Sequence, residues 1–394
     1  MKTQMLGKRR TRLTQEGWCF VLVLALVLVR ASMKDINLML AFAGMMAGAL
    51  YFNWFALRTM LRRLQIRRQL PESVSAGDTA TVELQATARH RGAALEIEDS
   101  FELAGSTRPE DRGRGIAVVP QVARGKSARA EYQVRFGRRG RYEFGMVRAT
   151  SRYPFGLVSR TISLRQPGQL IVLPRLGRLT GRWTDVRRGP EPGARRVLQR
   201  QGLTEGDFYG MRDWRAGDSR RWIHWRTSAR RGSLMVRQFE QPRSEDLTLL
   251  VDLWLPATPT PRDEENVELA VSFAATIVAD VCRRGGCQLS VVVTGQALTS
   301  LSGGASRALA RDALLQLALA EAAADSPSNE MIERGLNGGP TAGRIVLIST
   351  RSQSPNEAHC AAATSGTPQQ TAALARMVRI DASGDELFEY FQID

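Results

Sequence analysis

The stretch GDFYGMRDWRAGDSRRWIHWRTSARRG, residues 206–232, gathers the side chains with the most chemical potential in the chain. His224 is one of three histidines, and Asp213, Asp218, Ser219, Ser228 and Ser233 lie close to it in sequence. A hydroxyl, an imidazole and a carboxylate are the parts of a nucleophilic hydrolase, in which the histidine takes the hydroxyl proton and the acid orients the ring. No serine here stands in a G-x-S-x-G elbow, and a triad needs convergent geometry that spacing alone does not supply. The same stretch holds three tryptophans and seven arginines, the composition of a surface that stacks bases and neutralises phosphates, provided the indoles are exposed.

The elements that must position these groups favour a brace over an active site. Asp218 or Ser219 can cap a helix that begins at Arg220 and ends at Gly232, which predicts about three turns. On that helix Trp222, Trp225 and Ala229 fall within about 60° of arc, with Arg220, His224, Thr227 and Arg231 opposite. So short a helix does not persist alone. Both indoles are therefore expected to be mostly buried, with Arg221, Arg226 and Arg230 reaching acids or carbonyls and His224 on the helix surface. Upstream, DFYGMRDW reads as extended, with Arg212 free to pair with Asp213, Asp218 or a nearby acid; SLMVRQFE alternates as a strand.

The surrounding chain has 394 residues, enough for two or three domains. Lys+Arg is 55 against Asp+Glu 39, a formal charge of +16, which raises nucleic acid and anionic membranes as partners. The surplus is arginine spread along the whole chain, so it argues against a clustered nucleic-acid face, and no nucleic acid is expected. Cys19, Cys282, Cys287 and Cys360 form no CxxC pair, so neither a zinc site nor a disulfide framework is indicated.

Residues 1–65 read as a membrane anchor: two apolar segments, about 15–33 and 36–57, long enough to span a bilayer. Lys8, Arg9, Arg10 and Arg12 precede the first, and Arg58, Arg62, Arg63, Arg67 and Arg68 follow or end the second. Both ends are therefore expected to face the cytoplasm, in a multi-pass protein of the cell membrane. A cleaved signal is the rival for the first segment, but no small-x-small cleavage site follows it.

From 66 to 175 the pattern changes to short alternating runs such as Val82, Leu84 and Ala86, which predict an antiparallel β-sandwich-like domain. Its RYPFGLVSR is expected to be a structural turn around a buried Phe155. Residues 176–245 read as a linker plus the signature segment, the arginine-rich part lacking an apolar period. Residues 246–394 alternate apolar strands and helices, which predicts a doubly wound, mostly parallel α/β sheet.

The run Gly206, Phe208, Arg212, Gly217, Asp218, Arg221, Ile223, Trp225, Ala229 and Arg230, followed by Leu234, Val236 and Glu240, resembles the signature of the domain-of-unknown-function-58 family. The likeness extends to the two-span anchor, RRGRY, YPFGL and VLPRL. It implies a membrane protein whose C-terminal region is similar to von Willebrand factor A domains and which works with MoxR-type AAA+ ATPases. Many relatives carry an acid where this chain has His224. Metal-binding A domains hold Mg²⁺ on an Asp-x-Ser-x-Ser loop, as a hard cation requires. Here that loop reads Asp252-Leu-Trp254-Leu-Pro256, a degenerate position without the serine oxygens, so no metal and no cofactor are expected. Asp252 is expected to bond the loop backbone instead. The reading is a non-enzymatic, cytoplasm-facing scaffold or adaptor for protein or complex maturation. The alternatives are nucleic-acid or anionic-surface binding through 212–231, or a hydrolase.

Overall fold

The computed structural model describes residues 6–34, 37–88, 92–188, 208–215, 218, 220–239, 246–338, 343–351, 377–384 and 386–393. The chain divides into two compact units, residues up to 176 with 311–320, and residues 177–310 with 321–394.

In the first unit, strand β1 (Leu6–Leu13) leads into helices α1 (Gln15–Lys34) and α2 (Asn37–Met60). Both helices are long and apolar enough to cross a membrane, over Gln15–Met33 and Asn37–Met60. They pack together as a hairpin. Leu22, Leu26, Leu38 and Met45 project away from protein, which is the outward apolar surface a lipid environment solvates.

Among the described residues the sandwich of this unit is built by β2 (Gln65–Gln69), β3 (Val74–Ser75), β4 (Thr79–Thr87), β5 (Gly92–Leu103), β6 (Arg112–Val122), β7 (Ser127–Arg135), β8 (Gly140–Ser151) and β9 (Val158–Leu173), with β1. One sheet runs β1-β9-β8-β5-β6 with β3 also on β9, and the other runs β2-β4-β7. Every pairing is antiparallel except β3 with β9. Alternate residues of both sheets meet in one core: Ile66, Val82 and Leu84 from the three-stranded sheet face Ile97, Val147 and Leu164 from the other. The period of two in β4 is therefore the signature of a half-buried strand.

The buried carboxylate of this core, Asp99, is paired. Arg68 grips Asp99 with two hydrogen bonds, Nε to Oδ2 at 2.7 Å and Nη2 to Oδ1 at 2.5 Å, while Tyr132 donates to Asp99 Oδ2 at 2.8 Å. Burial, then the Asp99 carboxylate, push the Tyr132 phenol above its ordinary range. The tyrosine ring needs the bare backbone of Gly115, where a Cβ would come within 2.0 Å of it.

The base of the helix hairpin is bolted to the β8–β9 turn. Thr14 Oγ1 donates to the Gly156 carbonyl at 2.6 Å and accepts from the Gly17 amide at 3.0 Å. Asn53 of α2, fully buried, donates to the Tyr153 carbonyl at 3.1 Å and accepts from the Val158 amide at 3.0 Å. Leu13, Phe20, Leu50 and Leu57 close around Leu157 and Val158. The turn itself corrects the sequence reading: Phe155 is 54% exposed, not buried, and its ring lies 6.1 Å from that of Phe52 on α2.

In the second unit, β10 (Arg178–Leu179) pairs with β18 (Phe391–Gln392), and α3 (Gly181–Arg188) follows β10. This also corrects the sequence reading, which made the arginine-rich stretch a surface linker. Trp183 of α3 is 1% exposed and meets Phe273 edge-on at 5.6 Å. One indole surrounded by arginines carries no period, yet it is enough apolar area to dock a two-turn helix. The rest of that stretch, 189–207, lies outside the described residues.

The central sheet has the order β15-β14-β13-β16-β17: β13 (Leu247–Asp252), β14 (Gln288–Thr294), β15 (Thr299–Gly304), β16 (Arg344–Ser349) and β17 (Val378–Asp381). All pairs are parallel except the edge pair β14 with β15. β13 is buried at every position, as a central strand covered on both faces must be. Helix α5 (Pro261–Arg284) starts at a Thr260–Asp263 capping box. Helices α7 (Ser328–Gly338) and α8 (Leu387–Tyr390) also belong to this unit, whereas most of α6 (Arg307–Leu319) belongs to the first; the chain is mixed α/β. Strand β15 and helix α7 have no counterpart in the sequence reading.

Candidate functional site

The signature segment folds as a hairpin with a helical insert. β11 (Phe208–Asp213) pairs antiparallel with β12 (Met235–Phe239), and the Trp214 amide continues the ladder to the Leu234 carbonyl at 2.7 Å. A short 3₁₀ turn, Arg220–Trp222, precedes an isolated bridge between Ile223 and Val236. Helix α4 (Trp225–Arg231) starts only after it and ends at Gly232, whose φ of 70° is the left-handed conformation glycine tolerates.

Arg212 is the brace. Its Nη1 and Nη2 each donate to one oxygen of Asp218, both at 2.6 Å, and the Arg215 amide donates to Asp218 Oδ2 at 2.8 Å. The Arg212 hydrogen bonds, followed by the Arg215 amide, hold the Asp218 carboxyl below the usual carboxylate range. Ile223, Met235 and Val236 are buried beneath, and Ser228 Oγ accepts from the Met235 amide at 2.8 Å.

The indoles depart from expectation. Trp225 is 66% exposed, and Trp222 is only half-buried. The Ile223–Val236 bridge interrupts the helix between the two tryptophans, so they never share a helical face. Arg221, Arg226, Ala229 and Arg230 are exposed with Trp225. Of the other signature positions, Phe208 starts β11 and Leu234 is 44% exposed, while Gly206, Gly217 and Glu240 lie outside the described residues.

The hydrolase parts are not brought together among the described residues. His224 is the cap of α4 rather than a helix-surface residue: its Nδ1 accepts from the Thr227 amide at 3.3 Å and faces Thr227 Oγ1 at 2.9 Å. Ser228 Oγ donates to the His224 carbonyl, Ser233 Oγ to Asp213 Oδ1 at 3.4 Å, and Asp218 is taken by Arg212. Ser219 lies outside the described residues.

A second polar cluster sits at the carboxyl ends of β13 and β16, where open α/β sheets place their ligands. Asp252 is fully buried and accepts from Ser326 Oγ at 2.5 Å, Ser349 Oγ at 3.1 Å and Arg351 Nε at 2.9 Å. These are side-chain donors, not the loop backbone expected from sequence. Arg351 also donates to the Ser326 carbonyl and hydroxyl at 2.9 and 2.8 Å, and its guanidinium lies 5.6 Å from the Trp254 ring centroid. The indole Nε1 is held by the Ala324 carbonyl at 2.9 Å. The Asp252 carboxylate thus already has its positive charge from an arginine. These residues do not fit a Mg²⁺ centre, and among the described residues no group of three or more His, Cys, Asp or Glu side chains is placed to hold a metal. Sequence reasoning missed Ser326, Ser349 and Arg351. The one available signal was the polar Ser-Thr-Arg ending an apolar strand beside Asp252's own.

Residues 210–338 match the family described as Protein of unknown function DUF58, a segment that begins inside β11 and ends with α7. It is similar to Uncharacterized protein YeaD of Bacillus subtilis (strain 168), 27% identical over 229 residues, 57% of this chain and 54% of the relative. The chain therefore spans about half the length of that relative. Among solved structures, the CARDB domain of the PF1109 protein from Pyrococcus furiosus is 10% identical with a TM-score of 0.17, covering 28% of this chain and 92% of that one. The β-glucosidase D2-BGL from Chaetomella raphigera is 13% identical with a TM-score of 0.19, covering 28% of this chain and 18% of that one. Scores this low define no shared fold.

Proposed function

We propose that the chain is a membrane-anchored, non-enzymatic scaffold that offers the signature hairpin to a protein partner. The observation that carries this reading is the 66% exposed Trp225, flanked by exposed Arg221, Arg226 and Arg230 on a hairpin stiffened by the Arg212–Asp218 fork. An exposed indole among exposed arginines is the composition of an interface hot spot. Its match is an apolar pocket edged with carboxylates. The family resemblance supplies the partner class, a MoxR-type AAA+ ATPase.

In this reading the two apolar helices act as a multi-pass anchor in the cell membrane, and the arginines at the open end of the hairpin support a cytoplasmic side for the soluble units. The strand order β15-β14-β13-β16-β17 with one antiparallel edge supports reading the α/β unit as von Willebrand factor A-like. With Arg351 against Asp252, recognition by that unit does not depend on a metal.

Trp225→Ala in the full chain tests this reading. The variant is expected to melt with wild type, since little of the indole is buried, yet to lose the ATPase that co-purifies from native membranes. Recovery of no ATPase with wild type removes that partner class. A second reading, single-stranded nucleic acid stacked on Trp225, gains from the same exposure because buried indoles would have excluded it. It requires salt-dependent oligonucleotide binding that Trp225→Ala abolishes.

A further inference from the structure

The basic residues ahead of α1 are not merely a flank: they form β1, which lies along β9 with Thr11 opposite Arg160 and Arg9 opposite Ile162. Side chains alternate along a strand, so Arg9 and Arg160 share one face, and Arg10 and Arg12 point to the other. Ile162 on that shared face belongs to the sandwich core with Met60 and Leu61, so the end of α2 packs at its Ile162 end and brings Arg58 near Arg160, while Arg9 and Thr11 stay exposed. Arg160 carries the mark of an incomplete site. Its Nε is buried with no hydrogen-bond partner, and among the described residues no carboxylate forms an ion pair with Arg9, Arg58 or Arg160. Burial, then the charges of Arg9 and Arg58, lower the guanidinium's hold on its proton below the arginine norm. Arg160 is half-buried and Arg9 and Arg58 are exposed, so three like charges converge where an anion from outside can reach them and relieve their repulsion.

Their place says which anion. Arg58 sits 5.2 Å above the Trp54 ring, at the end of a helix long enough to span a bilayer, and exposed Tyr153 and Phe155 lie in the adjoining turn beside Phe52. Aromatic rings of this kind mark the membrane–water interface, where phosphodiesters lie. We propose that Arg9, Arg58 and Arg160 form a cradle for the phosphate of an anionic phospholipid headgroup, fixing the β-sandwich at the membrane surface. Guanidinium forks match phosphate oxygens in pairs, and a juxtamembrane basic cluster gains from an anionic leaflet. This inference rests on reading α1 and α2 as membrane spans.

The test is native mass spectrometry of the full chain equilibrated in detergent with equimolar phosphatidylglycerol and phosphatidylcholine. Wild type is expected to retain phosphatidylglycerol over phosphatidylcholine by about tenfold, the order expected of a juxtamembrane basic cluster toward a net anionic headgroup. The Arg9→Gln/Arg58→Gln/Arg160→Gln variant should lose that preference, and Arg10→Gln/Arg12→Gln, with exposed arginines on the other face, should keep it. Equal retention of the two lipids by wild type overturns the proposal whatever the variants do, and so does a triple variant that retains phosphatidylglycerol as wild type does. Release of the lipid by millimolar inorganic phosphate would assign the cradle to a free anion and overturn the lipid source. Should the triple variant fail to fold, Arg160→Gln alone and the wild-type preference still decide. Extraction of the chain from membranes by alkaline carbonate would fail the anchor reading; a chain that stays embedded yet shows no lipid preference fails this inference alone.

Discussion

Arg351→Ala probes the strand-end cluster from its weaker side. Asp252 is fully buried and has three donors, of which Arg351 at 2.9 Å is the only cation; the arginine is 26% exposed. Removing Arg351 leaves a buried carboxylate on two hydroxyls, and breaking a buried pair in this way costs about 3–5 kcal/mol. Asp252→Asn is milder: Arg351 keeps the Ser326 carbonyl and hydroxyl and can reach water, so the cost is about 1–3 kcal/mol for imperfectly satisfied groups. A domain of this size loses about 2–4 °C per kcal/mol, so Arg351→Ala should lower the melting of the α/β unit by about 6–20 °C. Asp252→Asn should lower it by the smaller amount of about 2–12 °C. Differential scanning calorimetry of the purified full chain reads both. Arg351→Ala also frees the Asp252, Ser326 and Ser349 oxygens, a donor set suited to a hard cation. Mg²⁺ at tenfold its dissociation constant would then return about 1.4 kcal/mol to the variant and nothing to wild type. Equal losses in the two variants, or an equal Mg²⁺ response in wild type, would refute the reasoning.

Three further outcomes are expected. Trp183→Ala should destabilise the α/β unit by about 3–5 kcal/mol in denaturant titration, as truncation of a buried indole does. Asn53→Leu removes both bonds to the β8–β9 turn and leaves the Val158 amide without its acceptor, so proteolysis between Arg152 and Arg160 should accelerate relative to wild type. Asp218 has a depressed folded pKa, so its contribution is present above the ordinary carboxylate range and fades as pH falls through the lower folded value. Thermal melts across that acidic window should show this loss in wild type and not in Asp218→Asn, and neither should vary from it at neutral pH.

The parts legible in the sequence were those set by local periodicity. Apolar length gave α1 and α2, the alternation of Val82, Leu84 and Ala86 gave a sandwich strand, and the unbroken apolar run of β13 gave a strand covered on both faces. What escaped depends on distant partners. β1 is an edge strand made by backbone pairing with β9, and its exposed arginines look like any basic flank. Arg351 meets Asp252 across 99 positions of chain, so no spacing rule joins them. The tryptophans were placed on one helical arc, but a single β-bridge at Ile223, drawn to Val236 on the returning strand, restarted the helix at Trp225 and turned its indole outward. The indoles expected to glue this segment are not its buried part; the Arg212–Asp218 fork lies across six positions of the same segment.

Photocrosslinking from a benzoylphenylalanine placed at position 225, in native membranes and read by mass spectrometry, tests the recognition surface most directly. The account expects a covalent adduct to a AAA+ ATPase that disappears when Arg226 and Arg230 are changed to glutamate. An adduct to RNA alone, or crosslinks confined to the chain itself, would contradict it.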